Sequence, residues 1–311
     1  MTAKLVAKSL LSWVPGLHQA FIRHGSGTAS SSYCYGVWLK HVTLLWEYGM
    51  RFVPRDVLEL GPGASIGTGM AALLGGAERY VAIDKVDYTT RQANLESFRG
   101  LVDLFRRRAP RPTAGFPSFD EFLDERLFPA HILTQERLAA ALAPGRIERL
   151  ERAIEALGTP KPDPRIRYHT WQDAGQIEEG GHDLVFSHVV LNHVEDLERV
   201  YGLCARWLRP GGWMSHQIDF TSLGTTPEWN GHRRYGDLSW KMLAGRRAYF
   251  VNREVFGHHL ELMREQGFEV VCAIRGARAG GLPREAHAPR WRALSDEELS
   301  TQTGFVIARK R

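Results

Sequence analysis

Residues 57–67 read VLELGPGASIG, and this stretch constrains the fold of the chain more than any other. A short apolar run breaks into glycines and is followed by an Ala/Leu-rich segment at 70–74, an order typical of strand, tight loop and helix. Gly61 and Gly63 can adopt positive φ and carry no Cβ that would block a ligand. A bound group could therefore lie against bare backbone at a helix N-terminus, and the stretch predicts a site for a nucleotide-like cofactor.

The residues around the glycines argue against two common classes of nucleotide-binding loop. The dinucleotide fingerprint GxGxxG needs a small third residue, but counting from Gly61 that position is Ile66. A P-loop needs GK[ST] after the loop, and this chain has none there. Glu59 shortly precedes the first glycine, and Asp84 ends the next apolar run. Two acids beside a glycine loop favour a cationic, hydroxyl-bearing ligand over a pyrophosphate.

This stretch resembles motif I of the class I S-adenosylmethionine (SAM) dependent methyltransferases, an acid followed by GxGxG or a close variant. Ala64-Ser65 stands where the third glycine is usual. The resemblance implies that the acid and loop lie against the cofactor and that Asp84 holds the ribose hydroxyls. The loop residues so implied are Glu59, Gly61, Pro62 and Gly63.

Later motifs extend the resemblance along most of the chain. DLVFSHVV at 183–190 has the character of a buried parallel strand and, with the following LNHV, resembles DxIxSxxVLEHV, with Asn192 where Glu is common. LRPGG at 208–212 follows in the family's order. The resemblance implies that Asp173 lies near the adenine amino group and that Ser187 contacts the cofactor. Tyr33 opens an aromatic-rich helix at 33–48, where such enzymes often place a cofactor lid.

These motifs predict an α/β fold, a doubly wound Rossmann-like seven-stranded sheet with N-terminal helices and a helical insertion. We expect an N-terminal helical lid segment at 1–50 and a SAM-binding methyltransferase domain at 51–311. The connection after Asp84 is too long for a simple crossover, so it predicts a helical insertion at about 90–163 that covers the mouth of the site. Runs at 268–274 and 304–308 predict the closing strands.

Composition fits a globular enzyme. The net charge is +5 over 311 residues, but acids and bases are interspersed, so the charge pattern does not favour nucleic acid as a partner. Three cysteines without CxxC spacing indicate neither a disulfide framework nor a zinc site, and a reducing cytoplasm is the simplest compartment. Residues 1–23 mix apolar and basic side chains. That segment is too short to span a bilayer, but it could contact a membrane surface or pack on its own domain.

Three further stretches narrow the resemblance. They are YCYGVWL at 33–39, SHQIDF at 215–220 and WNGH at 229–232. They resemble a group of bacterial methyltransferases found with surface-polysaccharide and natural-product biosynthesis genes. This implies O-methylation of a sugar hydroxyl on a glycan or natural product. Two alternatives stay open: an N-methyltransferase acting on nucleic acid or protein, although SHVV stands where [DNS]PP[YFW] is usual, and a non-catalytic SAM-fold scaffold.

Methyl transfer to a sugar hydroxyl requires alignment and a group that accepts a proton of high pKa. His216 and Asp219 lie at or near the end of the strand predicted at 213–218, so both are catalytic candidates, with a structural histidine equally open for His216. His193 is a third candidate. The predicted substrate-binding residues are His188, Asn230 and His232.

The predicted cofactor is SAM, with S-adenosylhomocysteine as product. Asp219 with Glu195 or Asp196 could hold a divalent metal through carboxylate oxygens. Acids beside a helix N-terminus are common without a metal, so we predict none. The sequence leaves the oligomeric state open.

Overall fold

The computed structural model describes residues 28–112, 123, 127–245 and 250–311. These residues form a seven-stranded sheet with the strand order β3-β2-β1-β4-β5-β7-β6. β7 is antiparallel to both β5 and β6, whereas the remaining neighbours are parallel. The predicted doubly wound sheet of the class I methyltransferase type is thereby confirmed. The strands are β1 Asp56–Leu60, β2 Arg79–Asp84, β3 Ile166–Thr170, β4 His182–His188, β5 Leu208–Asp219, β6 Phe268–Ala277 and β7 Thr301–Lys310.

One face of the sheet is covered by α1 Ser31–Glu47, α2 Gly67–Leu74 and α3 Arg91–Arg106. The side chain of Ser30 accepts a hydrogen bond from Tyr33 N and begins α1. Trp38 is fully buried and packs against Phe186 of β4. The aromatic helix that we expected to contribute to a lid is therefore a core helix of the sheet.

The other face is covered by α6 Leu197–Trp207 and α8 Phe256–Glu265. Side chains alternate between the two faces along the central strands. In β4, Phe186 faces α1 and Val185 faces α6, and both are fully buried. This double burial explains why β4 reads as a continuous apolar run.

The connection from β2 to β3 contains, after α3, the helices α4 Gln135–Ala141 and α5 Pro144–Glu155. The second of these helices begins at Pro144, because proline is favoured in the first turn of a helix. Arg146 of α5 donates hydrogen bonds to Leu73 O and Ala77 O at the C-terminal end of α2. The glycine loop precedes the opposite end of α2. The helices α4 and α5 thus pack away from that loop rather than over the site, whereas α3 contacts the glycine stretch, because Asn94 Oδ1 accepts a hydrogen bond from Ile66 N.

The part of the chain that connects β5 to β7 along the sequence adds a further layer of helices outside the sheet. This layer contains α7 Asp237–Ala244, α9 Pro289–Arg292 and α10 Asp296–Ser300. The guanidinium carbon of Arg253 lies 5.0 Å from the ring centroid of Trp240 and 4.6 Å from that of Trp291, which ties these pieces together.

No helix within the described ranges is both long and apolar enough to cross a bilayer. Residues 1–23, for which we predicted membrane contact or packing on the domain, lie outside the described residues.

Candidate functional site

A pocket of about 660 Å³ lies at the carboxyl ends of β1, β2 and β4. This is where ligands bind in open α/β sheets, because the loops leaving neighbouring strands diverge there. Its walls come from these loops, the segment before α1, the turn after β3 and one side of α6. The lining residues are Thr28, Gly61, Gly63, Ala64, Asp84, Lys85, Tyr88, Trp171, His188, Val189, Val190, His193, Val194, Glu195, Asp196, Arg199, Val200 and Leu203.

The glycine loop forms one wall of the pocket, and its backbone lies close to the neighbouring segments of the chain. Gly61 has φ of 66° and Gly63 has φ of 74°, a region that L side chains rarely adopt. A Cβ on Gly61 would lie 2.6 Å from the side chain of Val190. A Cβ on Gly63 would lie 2.8 Å from Oγ1 of Thr28, which accepts a hydrogen bond from Ala64 N. Both glycines are thus required by conformation and by space.

Asp84 ends β2 and faces the glycine loop across the pocket. Its carboxylate accepts hydrogen bonds from Lys85 N at 2.6 Å and from Gly63 N at 3.3 Å. Burial raises the pKa of Asp84 to about 6, although these two backbone hydrogen bonds oppose the shift. The carboxylate is therefore positioned where a hydroxyl-bearing or cationic ligand would meet it.

Glu59 lies beneath the loop and does not line the pocket. It is 4% exposed and accepts a 2.5 Å hydrogen bond from the hydroxyl of Tyr80. Burial raises the pKa of Glu59 to about 8, while hydrogen bonds from Tyr80 and from the backbone of Gly69 oppose the shift. The structure places this carboxyl against the first turn of α2.

Four other predicted cofactor residues lie outside the pocket wall. Pro62 is buried between the two glycines. Asp173 accepts hydrogen bonds from the backbone and side chain of Thr170, in the capping box of the 3₁₀ helix Trp171–Gln176. Ser187 is fully buried, and its Oγ lies 2.8 Å from His216 Nδ1. Tyr33 packs edge-on against the ring of His188, with 5.9 Å between the ring centroids.

His216 and Asp219, the first two catalytic candidates, are also outside the wall. His216 is fully buried on the α6 face, edge-on to Tyr201 of that helix, and burial lowers its pKa to about 3. Asp219 is fully buried and accepts hydrogen bonds from N and Oγ1 of Thr221 in the turn after β5. The alternation of β5 turns His216 into the core rather than toward the pocket.

His188 and His193 do line the pocket. His188 ends β4, and His193 ends the short 3₁₀ helix Leu191–His193. Burial lowers the pKa of His193 below its usual value. Val189, between β4 and this helix, has φ of 59°, a strained value for a β-branched residue, and its N–H donates to Gln217 O at 2.8 Å. The strained turn sets the direction in which His188 leaves the sheet.

The structure places the WNGH stretch in the layer between β5 and β7, away from the pocket wall. Oδ1 of Asn230 accepts a 2.6 Å hydrogen bond from Leu282 N, and His232 is buried against the ring of Trp240. These contacts join segments of that layer that are separate in the sequence. The periodicity of the sequence does not predict such contacts.

Glu195 and Asp196 line the pocket, but Asp219 is not with them. Asp196 accepts a hydrogen bond from Arg199 N and caps the first turn of α6. Among residues 28–112, 123, 127–245 and 250–311, no group of three or more His, Cys, Asp or Glu side chains could hold a metal ion.

Several wall residues were not anticipated from the sequence. Arg199, Val200 and Leu203 follow Asp196, a residue already considered as a metal ligand, at the i+3, i+4 and i+7 positions of one helix face, a signal that could have identified them once α6 was placed beside the site. Thr28 carried no such signal, because only tertiary packing brings it to the glycine loop.

Comparison with known proteins found one matching family model and several similar solved structures. Residues 142–215 match a family model described as a methyltransferase domain. No curated protein sequence matches the chain. The chain is also similar to solved structures. One is a SAM-dependent methyltransferase from Mesorhizobium loti, at 15% identity and a TM-score of 0.43, covering 87% of this chain and 98% of that one.

Two further solved structures are similar at the same level. A SAM-dependent methyltransferase from Methanosarcina mazei has 12% identity and a TM-score of 0.42, covering 84% of this chain and 95% of that one. Phosphoethanolamine N-methyltransferase 2 from Haemonchus contortus, solved with SAM, has 15% identity and a TM-score of 0.42, covering 88% of this chain and 52% of that one. The methyltransferase-domain match and the strand order together support a SAM-dependent methyltransferase enzyme.

Proposed function

We propose that this protein binds SAM in the pocket at the ends of β1, β2 and β4 and methylates a sugar hydroxyl on a glycan or natural product. The observation that carries the proposal is the convergence of the positive-φ glycine loop and Asp84 on that one pocket. Bare backbone and a carboxylate at the switch point of a doubly wound sheet suit an adenosine-containing cation.

The pocket wall fits the chemical groups of SAM. A volume of about 660 Å³ is sufficient for a ligand of this size. Asp84 can accept hydrogen bonds from the ribose hydroxyls, and Glu195 and Asp196 supply negative charge for a sulfonium and an ammonium group. Trp171 and Leu203 supply an apolar surface that could receive a purine ring.

SAM, when bound, supplies a methyl group on a positively charged sulfur. The chain's own residues must then exclude water, align the acceptor and accept its proton. His188 and His193 are the predicted substrate-binding and catalytic residues that lie on the wall. The sugar class itself rests on the resemblance of the stretches at 33–39, 215–220 and 229–232, and the wall histidines are compatible with it.

Calorimetric titration with SAM tests the cofactor. Wild-type protein should bind SAM, and Asp84→Asn should bind it more weakly by roughly 2 kcal/mol, because a charge-assisted hydrogen bond is replaced by a neutral one. Wild-type protein that does not bind SAM would reject the proposal.

Release of S-adenosylhomocysteine with a panel of methyl glycosides, nucleosides and peptide amines tests the acceptor class. Turnover with glycosides alone is the expected result. Turnover with amines alone would favour N-methylation. SAM binding without turnover on any member of the panel would argue against methylation of a simple sugar hydroxyl.

A further inference from the structure

A second pocket, of about 560 Å³, lies where β5 begins and β7 ends. This edge of the sheet is opposite to the one that carries the proposed SAM pocket, about 20 Å away along β5 at the usual rise per residue. The second pocket is lined by Gly49, Arg51, Phe52, Arg209, Pro210, Gly211, Trp213 and Arg309. Three of these lining residues are arginines and none is acidic, so the wall is positively charged.

The antiparallel pairing of β5 with β7 positions one of these arginines. Trp213 pairs with Arg309 across the two strands, so the two side chains lie on one face of the sheet. Arg309 Nε donates to Gly211 O at 3.4 Å, and a Cβ on Gly211 would lie 3.4 Å from Arg309 Nη2. A Cβ on Gly49 would lie 3.6 Å from the ring of Trp213. The segment after α1 thus borders the pocket beside the same ring.

Each of the three guanidinium groups lies over an aromatic ring. The guanidinium carbon is 5.6 Å from the ring centroid in every pair, and the pairs are Arg51 with Trp46, Arg209 with Phe52 and Arg309 with Trp213. Contact with a ring restricts the orientations of an arginine side chain. Because less conformational entropy is then lost on binding, such a wall is suited to hold a ligand.

Two of these arginines have no acidic partner, unlike three other arginines that lie over rings. Those three each form an ion pair, Arg253 with Asp237, Arg275 with Glu298 and Arg290 with Glu254. Arg209 of the pocket pairs with Asp183 at 2.8 Å. Across residues 28–112, 123, 127–245 and 250–311, Arg51 and Arg309 form no ion pair, and both are exposed. The wall therefore carries two positive charges that the described chain does not pair.

The surface around the pocket is of mixed charge. Arg55, Arg79 and Arg206 lie at the same edge of the sheet, and each of them pairs with an acid. Glu269 is opposite Arg309 in the register of β6 and β7 but does not line the pocket. A nucleic-acid backbone needs a continuous basic stripe, whereas a concave site with a few convergent cations suits a compact anion.

A phosphate monoester matches the charge and the donors of this wall. Such a group carries about −1.5 to −2 at pH 7, close to the charge of the two unpaired arginines. The planar guanidinium presents paired N–H donors that fit two phosphate oxygens. The pocket volume is in the range of small-molecule sites, so it leaves room for the esterified part of the ligand.

We propose that this pocket binds a small phosphate monoester, at a site separate from the proposed SAM pocket. Arg51 and Arg309 supply the unpaired positive charge, and Arg209 adds the N–H donors that Asp183 does not use. No residue lines both pockets, so the inference does not depend on the proposed methyl transfer.

Calorimetric titration with glucose 1-phosphate tests the site, with glucose as the uncharged comparison at constant ionic strength. The wild type should bind the phosphate ester and not glucose. Arg51→Gln and Arg309→Gln should each weaken binding by about tenfold, because each removes a charge-assisted hydrogen bond. Absence of binding to the wild type at about 10 mM ester, or equal binding of glucose, overturns the proposal.

Arg55→Gln is the matched control, because Arg55 is an exposed arginine at the same edge that pairs with Glu78 and does not line the pocket. This variant should bind glucose 1-phosphate within about twofold of the wild type. An equal loss in Arg55→Gln and Arg309→Gln would show general charge attraction and would reject the pocket as a specific site.

Competition experiments identify the place and the class of the ligand. Saturating S-adenosylhomocysteine should leave the affinity for glucose 1-phosphate unchanged, whereas competition would place the ester in the other pocket and overturn the proposal. Displacement of the ester by a lower concentration of a single-stranded DNA oligomer would identify a nucleic-acid surface and also overturn it. Failure of the wild type to bind SAM would reject the proposed function and leave the phosphate result valid.

Discussion

Asp84 is subject to two opposing demands, because burial disfavours its charged form while a cationic ligand requires that form. Its pKa is raised to about 6 by burial, so the carboxyl is largely protonated below that pH and charged above it. The proposed SAM site is therefore expected to depend on pH through this residue.

We expect SAM affinity of the wild type to fall as the pH falls through about 6, the pKa of Asp84, and to level off about 30-fold weaker, the loss that roughly 2 kcal/mol represents. Asp84→Asn should bind weakly and show a flatter pH profile, because its side chain does not titrate. Calorimetry across this range measures both curves. Parallel curves for the two proteins would remove Asp84 from the ligand.

Glu59 illustrates a different effect of burial, on folding rather than binding. Its pKa is raised to about 8, so the folded state holds a proton that the unfolded state has lost between pH 4.5 and 8. Any group whose pKa rises on folding lowers the free energy of unfolding as the pH increases through the window between its unfolded and folded pKa values. Tyr80 does not titrate there, because burial raises its pKa well above 10.0.

Glu59→Gln should therefore lose less stability than the wild type between about pH 6 and about pH 9. Urea unfolding at the two pH values measures the difference. Asp84→Asn is the useful comparison, because the Asp84 carboxyl titrates mostly below this range. Equal losses in wild type and Glu59→Gln would show that the Glu59 carboxyl is charged throughout.

At the scale of single elements, the glycine loop combines a backbone requirement with a steric one. Gly63 and Gly158 have almost the same φ, 74° and 73°, but a Cβ at Gly63 meets Thr28 and a Cβ at Gly158 meets nothing within 4 Å. The two positions therefore separate the cost of a left-handed backbone from the cost of close approach.

Gly63→Ala should lower the free energy of unfolding by roughly 1 kcal/mol more than Gly158→Ala, because only the former also displaces Thr28. It should also weaken SAM binding by about tenfold or more, whereas Gly158→Ala should leave it unchanged. Urea unfolding and calorimetry on both variants provide the measurements. Equal effects on binding would contradict the assignment of the loop to the cofactor.

At the scale of the whole molecule, the layer between β5 and β7 is held by Arg253. Its guanidinium lies against Trp240 and Trp291 and donates to Tyr235 O at 2.6 Å. Arg290 also lies against Trp291, at 4.3 Å, but its side chain is 40% exposed. Burial should make the first contact the stronger one.

Arg253→Met should lower the free energy of unfolding by about 2 kcal/mol or more, because it removes two desolvated cation–π contacts and the hydrogen bonds to Tyr235 O and Asp237 while keeping the apolar stem. Arg290→Met should cost less than about 1 kcal/mol, since exposed charges are screened. Neither residue lines the pocket, so SAM affinity should stay constant in calorimetry. A larger loss for Arg290→Met would show that burial does not set the strength of these contacts.

Local pattern was sufficient for the strands, the glycine loop and the order of the elements. Gly61, Gly63 and Asp84 could be identified because a strand followed by glycines, and an acid ending the next strand, are local features that topology brings to one edge. The break before α5 was likewise readable, because proline acts on its own backbone.

Tertiary structure alone decided which polar residues reach the pocket. His216 and His188 are both histidines near strand ends, but the register of β5 against β4 and the packing of α6 turn the first into the core. Thr28 and His41 come into place only because α1 packs on the sheet, and α5 lies at the C-terminal end of α2, away from the glycine loop. Such placements depend on contacts between residues that are distant in the chain. Local sequence patterns do not encode these contacts, so they could not be predicted from the sequence.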